Sequence, residues 1–193
     1  MNKRLSVMLG LGAFAAVSAT ILWLNMGTAR VLASQDSATS DPWDQLRFLV
    51  GSWSGTGDGN SGTSTLERSY EFILNDQFLL VRNKAVFPPQ TKNPKGEIHE
   101  DLGVISYDKR RKTFILREFY SEGYVNQFVL DEISADGKKL VFTTEAVENG
   151  PPMMRARTTW EITGERSLNE TFELAFDGQT FKPCVTCTLK RSH

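Results

Sequence analysis

Short runs of alternating apolar and polar residues follow one another along most of the chain, with turn residues between them. Alternation with a period of two is typical of antiparallel strands that bury one face. We predict ten strands, near residues 48–57, 65–74, 77–87, 101–107, 113–120, 124–133, 139–147, 153–162, 167–176 and 179–191. The three prolines and Gly96 of residues 88–98 predict one long loop.

An amphipathic segment from Asp41 to Val50 precedes the first strand and predicts one short helix. A meander of about ten strands closes most readily into a barrel, because closure removes the exposed edges of the sheet. The predicted fold is therefore all-β, a roughly ten-stranded antiparallel up-and-down β-barrel over residues 43–193.

Tryptophan and glycine alternate where the first strand begins, at Gly51, Trp53, Gly55, Gly57 and Gly59. A large ring at this position closes one end of a barrel, and the glycines let the strand coil and let a neighbouring backbone approach. We expect Gly51, Trp53, Gly55 and Gly57 to form the closed end.

Two carboxylates interrupt otherwise apolar strand faces. Glu118 shares a face with Phe114 and Leu116, and Glu170 shares one with Leu168 and Phe172. Unpaired buried carboxylates are costly, so these two predict either a wet, ligand-lined interior or a register in which both face solvent.

The N-terminus has the features of an export signal. Lys3 and Arg4 precede a charge-free segment from residue 5 to 29, and Gly27-x-Ala29 and Val31-x-Ala33 are possible cleavage sites. We expect residues 1–33 to be a signal peptide or an N-terminal anchor through residues 5–26, followed by a linker at 34–42. Either alternative places the barrel in the periplasm or outside the cell.

Charge excludes some partners. Without Lys3, Arg4 and Arg30, the 22 basic side chains fall to 19, against 23 acidic ones, and no basic stripe is present. A nucleic-acid partner is therefore not expected, whereas a small apolar ligand is compatible with a barrel interior. Membrane contact is expected only through an uncleaved N-terminal segment.

The glycine–tryptophan segment and Ile98-His99-Glu-Asp101-Leu-Gly103 together resemble the nitrobindin family of haem-binding β-barrels. That family belongs to the calycin group with lipocalins and fatty-acid-binding proteins, and related secreted bacterial lipocalin-like proteins share the pattern. The resemblance implies an interior ligand, with haem as its cargo. It also implies that a basic residue of the last strand, Lys190 or preferably Arg191, packs across Trp53.

The same resemblance implies a histidine ligand on the last strand, where residues 180–191 contain none. The family's arginine, three residues after the glycine of the second motif, is replaced by Ser106. The remaining candidates for a haem-iron ligand are Cys184 and His99. No metal site independent of haem is expected, and no catalytic residue is assigned.

Two groups of residues are candidates for ligand binding. His99 is either a hydrogen-bond donor in the pocket or a surface imidazole held by neighbouring carboxylates. Arg117, Arg155 and Arg157, with Tyr120 and Gln127, either clamp a ligand carboxylate or face solvent in ion pairs. Trp53 completes the expected ligand-binding set.

Cys184 and Cys187 lie three residues apart in the last strand, which places their Cα atoms about 10 Å apart in extended backbone. A disulfide therefore requires a bulge, which Pro183 favours. Free thiols, a disulfide and a ligand role all remain open.

Three functions are compatible with these patterns. The preferred one is an exported barrel that holds a largely apolar ligand, haem or fatty-acid-like. The alternatives are a haem-dependent enzyme acting on reactive nitrogen species, which the resemblance suggests, and a packed barrel of the cell envelope without cargo.

Overall fold

The computed structural model describes residues 41–192, so the predicted signal peptide or anchor (1–33) and most of the linker (34–42) lie outside the described residues. Two short 3₁₀ turns, Pro42–Gln45 and Arg47–Leu49, precede ten strands. The strands are β1 Gly51–Gly59, β2 Gly62–Ile73, β3 Phe78–Phe87, β4 Glu97–Asp108, β5 Thr113–Tyr120, β6 Val125–Ile133, β7 Lys139–Glu148, β8 Arg155–Gly164, β9 Ser167–Ala175 and β10 Lys182–Arg191.

All ten strands form one closed antiparallel barrel, in which each strand pairs with the next along the chain. Closure occurs between the first and last strands, where Trp53 lies opposite Arg191 and Gly59 opposite Val185. The predicted all-β, ten-stranded up-and-down barrel is thus confirmed. The short helix predicted before the first strand is instead the pair of 3₁₀ turns. Pro42 lies in the first turn, where its missing backbone N–H is tolerated.

The two turns close one end of the barrel with apolar side chains. Trp43, Leu46 and Leu49 are buried, and the Trp43 ring lies 5.2 Å from the ring of Phe72 and 5.0 Å from that of Phe114. These contacts fill the end of the barrel with hydrocarbon and close it to water.

Trp53 and Arg191 complete the closed end in the way expected from the sequence. The Trp53 indole N–H donates to the Leu49 carbonyl at 2.6 Å, and the Arg191 guanidinium carbon lies 4.9 Å from the centroid of the indole. Arg191 also donates to the carbonyls of Phe48 and Val50. One side chain therefore joins the last strand to the turn that precedes the first.

Gly55 explains why glycine is needed in the first strand. A Cβ atom on Gly55 would lie 1.9 Å from the Thr188 carbonyl oxygen of β10, so the closing strand approaches to a distance that only glycine permits. Gly51 has a positive φ of 122°, which also favours glycine. A Cβ on Gly57 would meet the Ser64 hydroxyl at 2.8 Å.

Several strand boundaries differ from the prediction. β1 and β2 extend to Gly59 and from Gly62, so that a two-residue turn at Asn60-Ser61 replaces the longer connection predicted. β4 begins at Glu97, earlier than the strand predicted at 101–107, so His99 lies within a strand. In residues 41–192, no helix has the length and apolar character needed to span a bilayer.

Candidate functional site

A cavity of about 370 Å³ occupies the barrel interior and opens at the end opposite the 3₁₀ turns. The mouth is formed by the turn at Asn60-Ser61 and by residues near Phe87, Glu122, Pro151 and Phe176, which belong to the loops at that end. Its walls are mainly apolar, formed by Leu66, Val81, Ala85, Met154, Phe172, Leu174 and Val185.

Charged and polar side chains form the floor of the cavity. Arg68 of β2 and Glu170 of β9 make a buried ion pair, with Nη1 to Oε2 at 2.7 Å and side chains 8 % and 11 % exposed. The other Glu170 oxygen accepts from the Thr158 hydroxyl at 2.8 Å and the Trp160 indole at 3.0 Å. Burial alone would raise the pKa of Glu170, but Arg68 and these donors hold it below its usual value.

Asp101 of β4 lies beside this pair. Its Oδ2 accepts from the Asn83 amide at 2.8 Å, and the Asn83 carbonyl in turn accepts from Arg68 Nε at 3.1 Å. Burial raises the pKa of Asp101, against the opposing effects of Arg68 and Asn83. Arg68 therefore interacts with two carboxyl groups: it forms an ion pair with Glu170, and the Asn83 amide links it to Asp101.

Glu118 lies on the floor, and no cationic side chain of the described part of the chain forms an ion pair with it. Its Oε2 accepts from the Tyr120 hydroxyl at 2.5 Å, and that hydroxyl accepts from the Asn126 amide at 3.3 Å. Burial, together with the nearby charge of Asp101, raises the pKa of Glu118 to about 8. At neutral pH this carboxyl group is therefore mostly protonated.

Gly103 provides the space for Glu118. It lies directly opposite Glu118 across the β4–β5 ladder, and a Cβ at this position would approach the Glu118 Cγ to 3.3 Å, with Leu116 and Val81 still closer. The glycine of the His99 segment thus accommodates a carboxyl side chain on the adjacent strand.

Two buried polar atoms of the cavity lining have no hydrogen-bond partner among the described residues. They are the Ser64 hydroxyl and the Asn126 carbonyl oxygen, on side chains 3 % and 4 % exposed. Buried polar atoms are nearly always satisfied in native proteins, so these two leave bonding capacity at the floor for water or a ligand.

The structure brings together only part of the predicted ligand-binding set. His99 and Tyr120 line the cavity, with ring centroids 5.7 Å apart. Trp53 does not line the cavity, because it lies in the hydrocarbon of the closed end.

The prediction that Arg117, Gln127 and Arg157 face the interior is wrong. Arg157 forms a bidentate pair with Glu173 at 2.6 and 2.9 Å, Gln127 donates to Glu145 at 2.7 Å, and Arg117 is exposed. Their neighbours in the strands, such as Leu116, Phe128 and Thr158, are the buried residues, so the alternation places these polar side chains outside. This is the solvent-facing alternative considered for the arginines.

The sequence interpretation missed Arg68, Asn83 and Asn126 as floor residues. Arg68 lies between Leu66 and Tyr70 on one face of β2, the same interruption of an apolar face that identified Glu118 and Glu170. That signal was therefore present for Arg68. For the asparagines it was weaker, because their amide side chains are common on both faces of a strand.

Cys184 and Cys187 are free thiols, and both line the cavity. A bulge between Pro183 and Val185 brings Cys184 to the same side as Cys187. Burial raises the pKa of Cys187 to about 12 and that of Cys184 above its usual value, so both remain protonated at neutral pH.

The residues present do not fit haem. A thiolate ligand is disfavoured by these raised pKa values, and the two nitrogens of His99 face carboxylates, Nδ1 at 2.6 Å from Glu122 and Nε2 at 3.7 Å from Asp101. Haem also carries two anionic propionates, whereas Arg68, the arginine among the described lining residues, already pairs with Glu170.

Comparisons with known proteins support the fold. No known protein-family profile matches the chain, and no curated protein matches it. The crystal structure of Rv2717c from M. tuberculosis is similar with a TM-score of 0.62 at 17 % identity, covering 80 % of this chain and 99 % of that one.

Two further structures have lower similarity. A redesigned β-barrel, b11L5F_LGL, has a TM-score of 0.39 at 12 % identity, covering 76 % of this chain and 93 % of that one. EF1p2_mFAP2b bound to DFHBI has a TM-score of 0.43 at 11 % identity, covering 79 % and 100 %. At these identities the Rv2717c likeness shows a shared barrel fold, one consistent with ligand-binding barrels, and nothing about the ligand.

Proposed function

We propose that the barrel binds one small, largely apolar organic molecule in its interior cavity. The observation that carries the proposal is an open cavity of about 370 Å³, with apolar walls above a buried polar floor that has unsatisfied hydrogen-bonding atoms. Its volume lies in the range of small-molecule sites, and a few converging polar groups in an apolar pocket are typical of them.

The composition of the floor argues for a binding role over a purely structural one. Replacing buried ion pairs by hydrocarbon of similar volume is often neutral or stabilising, so stability alone does not explain Arg68, Asp101, Glu118 and Glu170 inside this barrel. A barrel without cargo would be served better by the apolar filling that the closed end already has.

The same residues restrict the chemical class of the ligand. Haem does not fit the site, and no observation favours an enzyme that depends on it. A fatty acid would bring its carboxylate toward Asp101, whose negative charge opposes it. The cargo we propose is therefore apolar over most of its length, with a polar end compatible with an acidic floor.

A cavity-filling variant tests whether binding occurs in the interior. Ala85 is buried in the cavity wall, so Ala85→Trp would fill the space, whereas Ala146→Trp adds the same side chain on the exposed face of β7. The neutral probe N-phenyl-1-naphthylamine should bind the wild type and Ala146→Trp saturably at 1:1, and Ala85→Trp should lose this binding. Equal binding by folded Ala85→Trp, or no saturable binding by the wild type, would overturn the proposal.

Native mass spectrometry of protein purified under mild conditions is the complementary experiment. A bound mass that is released by denaturation, and that is missing from Ala85→Trp, identifies the natural ligand.

We also propose that the protein acts outside the cytoplasm, as the charge-free segment of residues 5–29 suggests. Recovery from the periplasmic or secreted fraction, or from membranes if residues 5–26 are retained, tests this placement, and recovery only from the cytoplasm overturns it.

A further inference from the structure

The cavity has an excess of acidic side chains over basic ones. Its described lining includes five carboxyl side chains, Glu97, Asp101, Glu118, Glu122 and Glu170, against Arg68 and His99. Arg68 pairs with Glu170, and His99 lies closest to Glu122 at the mouth. Within residues 41–192, no cationic side chain contacts the Glu118 carboxyl group.

An unsatisfied acceptor lies next to this carboxyl group. Asn126 faces Glu118 directly across the β5–β6 ladder, and its amide nitrogen is used by Tyr120 while its carbonyl oxygen has no partner. The Asn126 side chain is 96 % buried, so bulk water does not readily satisfy that oxygen. Carboxyl and carbonyl oxygens side by side form a site that accepts hydrogen bonds.

We propose that the floor of the cavity binds the protonated amine of an otherwise apolar molecule, with Glu118 and the Asn126 carbonyl oxygen as its acceptors. The inference rests on the proposed interior binding and adds the chemical class of the ligand. An ammonium group has three donors and no acceptor, which complements this pair. Asp101 adds a second negative group on the adjacent strand, opposite Tyr120.

Other polar ends fit the floor less well. A carboxylate or phosphate has only acceptors and a negative charge, so it leaves the Asn126 oxygen unsatisfied and meets repulsion from Asp101. A bare metal ion needs several converging ligands, and within residues 41–192 no group of three or more metal-ligating side chains is arranged to hold one. A hydroxyl donates a single hydrogen bond and brings no charge to the site.

Binding of an amine is expected to be linked to a proton. Several charged or titratable groups face Glu118 from the surrounding strands: Arg68 and Tyr70 of β2, Asp101 of β4, Tyr120 of β5 and Glu170 of β9. Among these the negative Asp101 and the burial of the site hold Glu118 protonated, and an arriving ammonium would favour its ionised form. Amine binding near pH 7 should therefore release a proton, and affinity should rise between pH 6 and pH 8.5.

Three ligands with the same eight-carbon chain separate the head group from the tail. n-Octylamine, n-octanol and octanoate are titrated into the protein by isothermal calorimetry. We expect the amine to bind at least about tenfold more tightly than the alcohol, which is what a charge-assisted hydrogen bond contributes, and octanoate to bind most weakly. Titration in buffers of different ionisation enthalpy should show proton release for the amine but not for the alcohol.

Two variants locate the head-group contact. Glu118→Gln keeps the shape of the side chain and should remove the preference for amine over alcohol and the proton release. Glu161→Gln on the exposed face of β8 is the matched control and should behave as the wild type. The proton-release measurement uses wild-type protein, so it tests the inference even if Glu118→Gln folds poorly.

The outcomes distinguish the two proposals. If none of the three ligands binds, the proposed interior binding fails. If octanol or octanoate binds as tightly as octylamine, or if folded Glu118→Gln keeps the full amine preference, interior binding stands and the head-group assignment is overturned. Octylamine binding without proton release near pH 7 would also overturn the assignment to Glu118.

Discussion

Replacing Glu118 by glutamine should change how the stability of the barrel depends on pH. The folded protein raises the pKa of this carboxyl group from 4.5 to about 8, because it is buried and lies near Asp101. In the unfolded chain this group ionises above about pH 4.5, whereas in the folded protein it stays protonated up to about pH 8. The free energy of unfolding is therefore unaffected below pH 4.5 and falls as pH rises through about 8. Because one pKa unit corresponds to about 1.4 kcal/mol, the difference between pKa values of 4.5 and about 8 lowers the free energy of unfolding by an amount on the order of 5 kcal/mol.

Glutamine has nearly the shape of the protonated carboxyl group and still accepts from the Tyr120 hydroxyl, but it does not ionise. We therefore expect Glu118→Gln to match the wild type near pH 4.5 and to become progressively more stable than it up to pH 8.5. Urea unfolding followed by tryptophan fluorescence at half-unit pH steps measures the difference. Glu161→Gln, on the exposed surface, should follow the wild type throughout.

Parallel stability curves for Glu118→Gln and the wild type between pH 4.5 and 8.5 would refute this reasoning. Such a result would mean that water or a rearranged neighbour stabilises the ionised carboxylate. The head-group proposal would then lose its explanation for proton release as well.

Three further substitutions test the structure in other places. Arg68→Met should lower the free energy of unfolding by about 3–5 kcal/mol, because it leaves Glu170 buried without its cation, and Arg68→Met/Glu170→Leu should recover much of the loss in the same urea assay. Arg191→Met should cost about 2 kcal/mol in thermal unfolding through its lost indole and carbonyl contacts, and a change below about 0.5 kcal/mol would contradict this. Gly55→Ala should cost about 3 kcal/mol or prevent folding because of the close Thr188 carbonyl, whereas Gly164→Ala, with its nearest atoms 3.8 Å away, should have a small effect.

The sequence predicted the fold well because its signals are local. Period-two alternation and Asp-Gly turns identify strands whatever their neighbours, and a run of hairpins leaves few topologies other than a meander. Strand boundaries were predicted less accurately near glycines, because glycine is common both in turns and in strongly coiled strands. Gly59 and Gly62 lie outside the predicted strands, yet Gly59 ends β1 and Gly62 begins β2.

The site was predicted only in part because it depends on which face of each strand is inside. Of the two alternatives that alternation left open for Glu118 and Glu170, the structure shows the interior one, since both line the cavity. Arg117 and Arg157 lie outside the barrel, which is the solvent-facing one of the two alternatives that the sequence left open, because apolar residues alternate with them along their strands. The partnership of Arg68 with Glu170 was not predictable from local patterns, since it joins β2 to β9 across the barrel.

The pairing of β1 with β10 has a consequence for how the molecule folds. Trp53 meets Arg191 and Gly59 meets Val185, so the final ladder joins residues near the two ends of the barrel sequence. Contacts of such large sequence separation form late and slowly. Until they form, β1 and β10 present open hydrogen-bonding edges, and a partly folded population would be prone to associate through them.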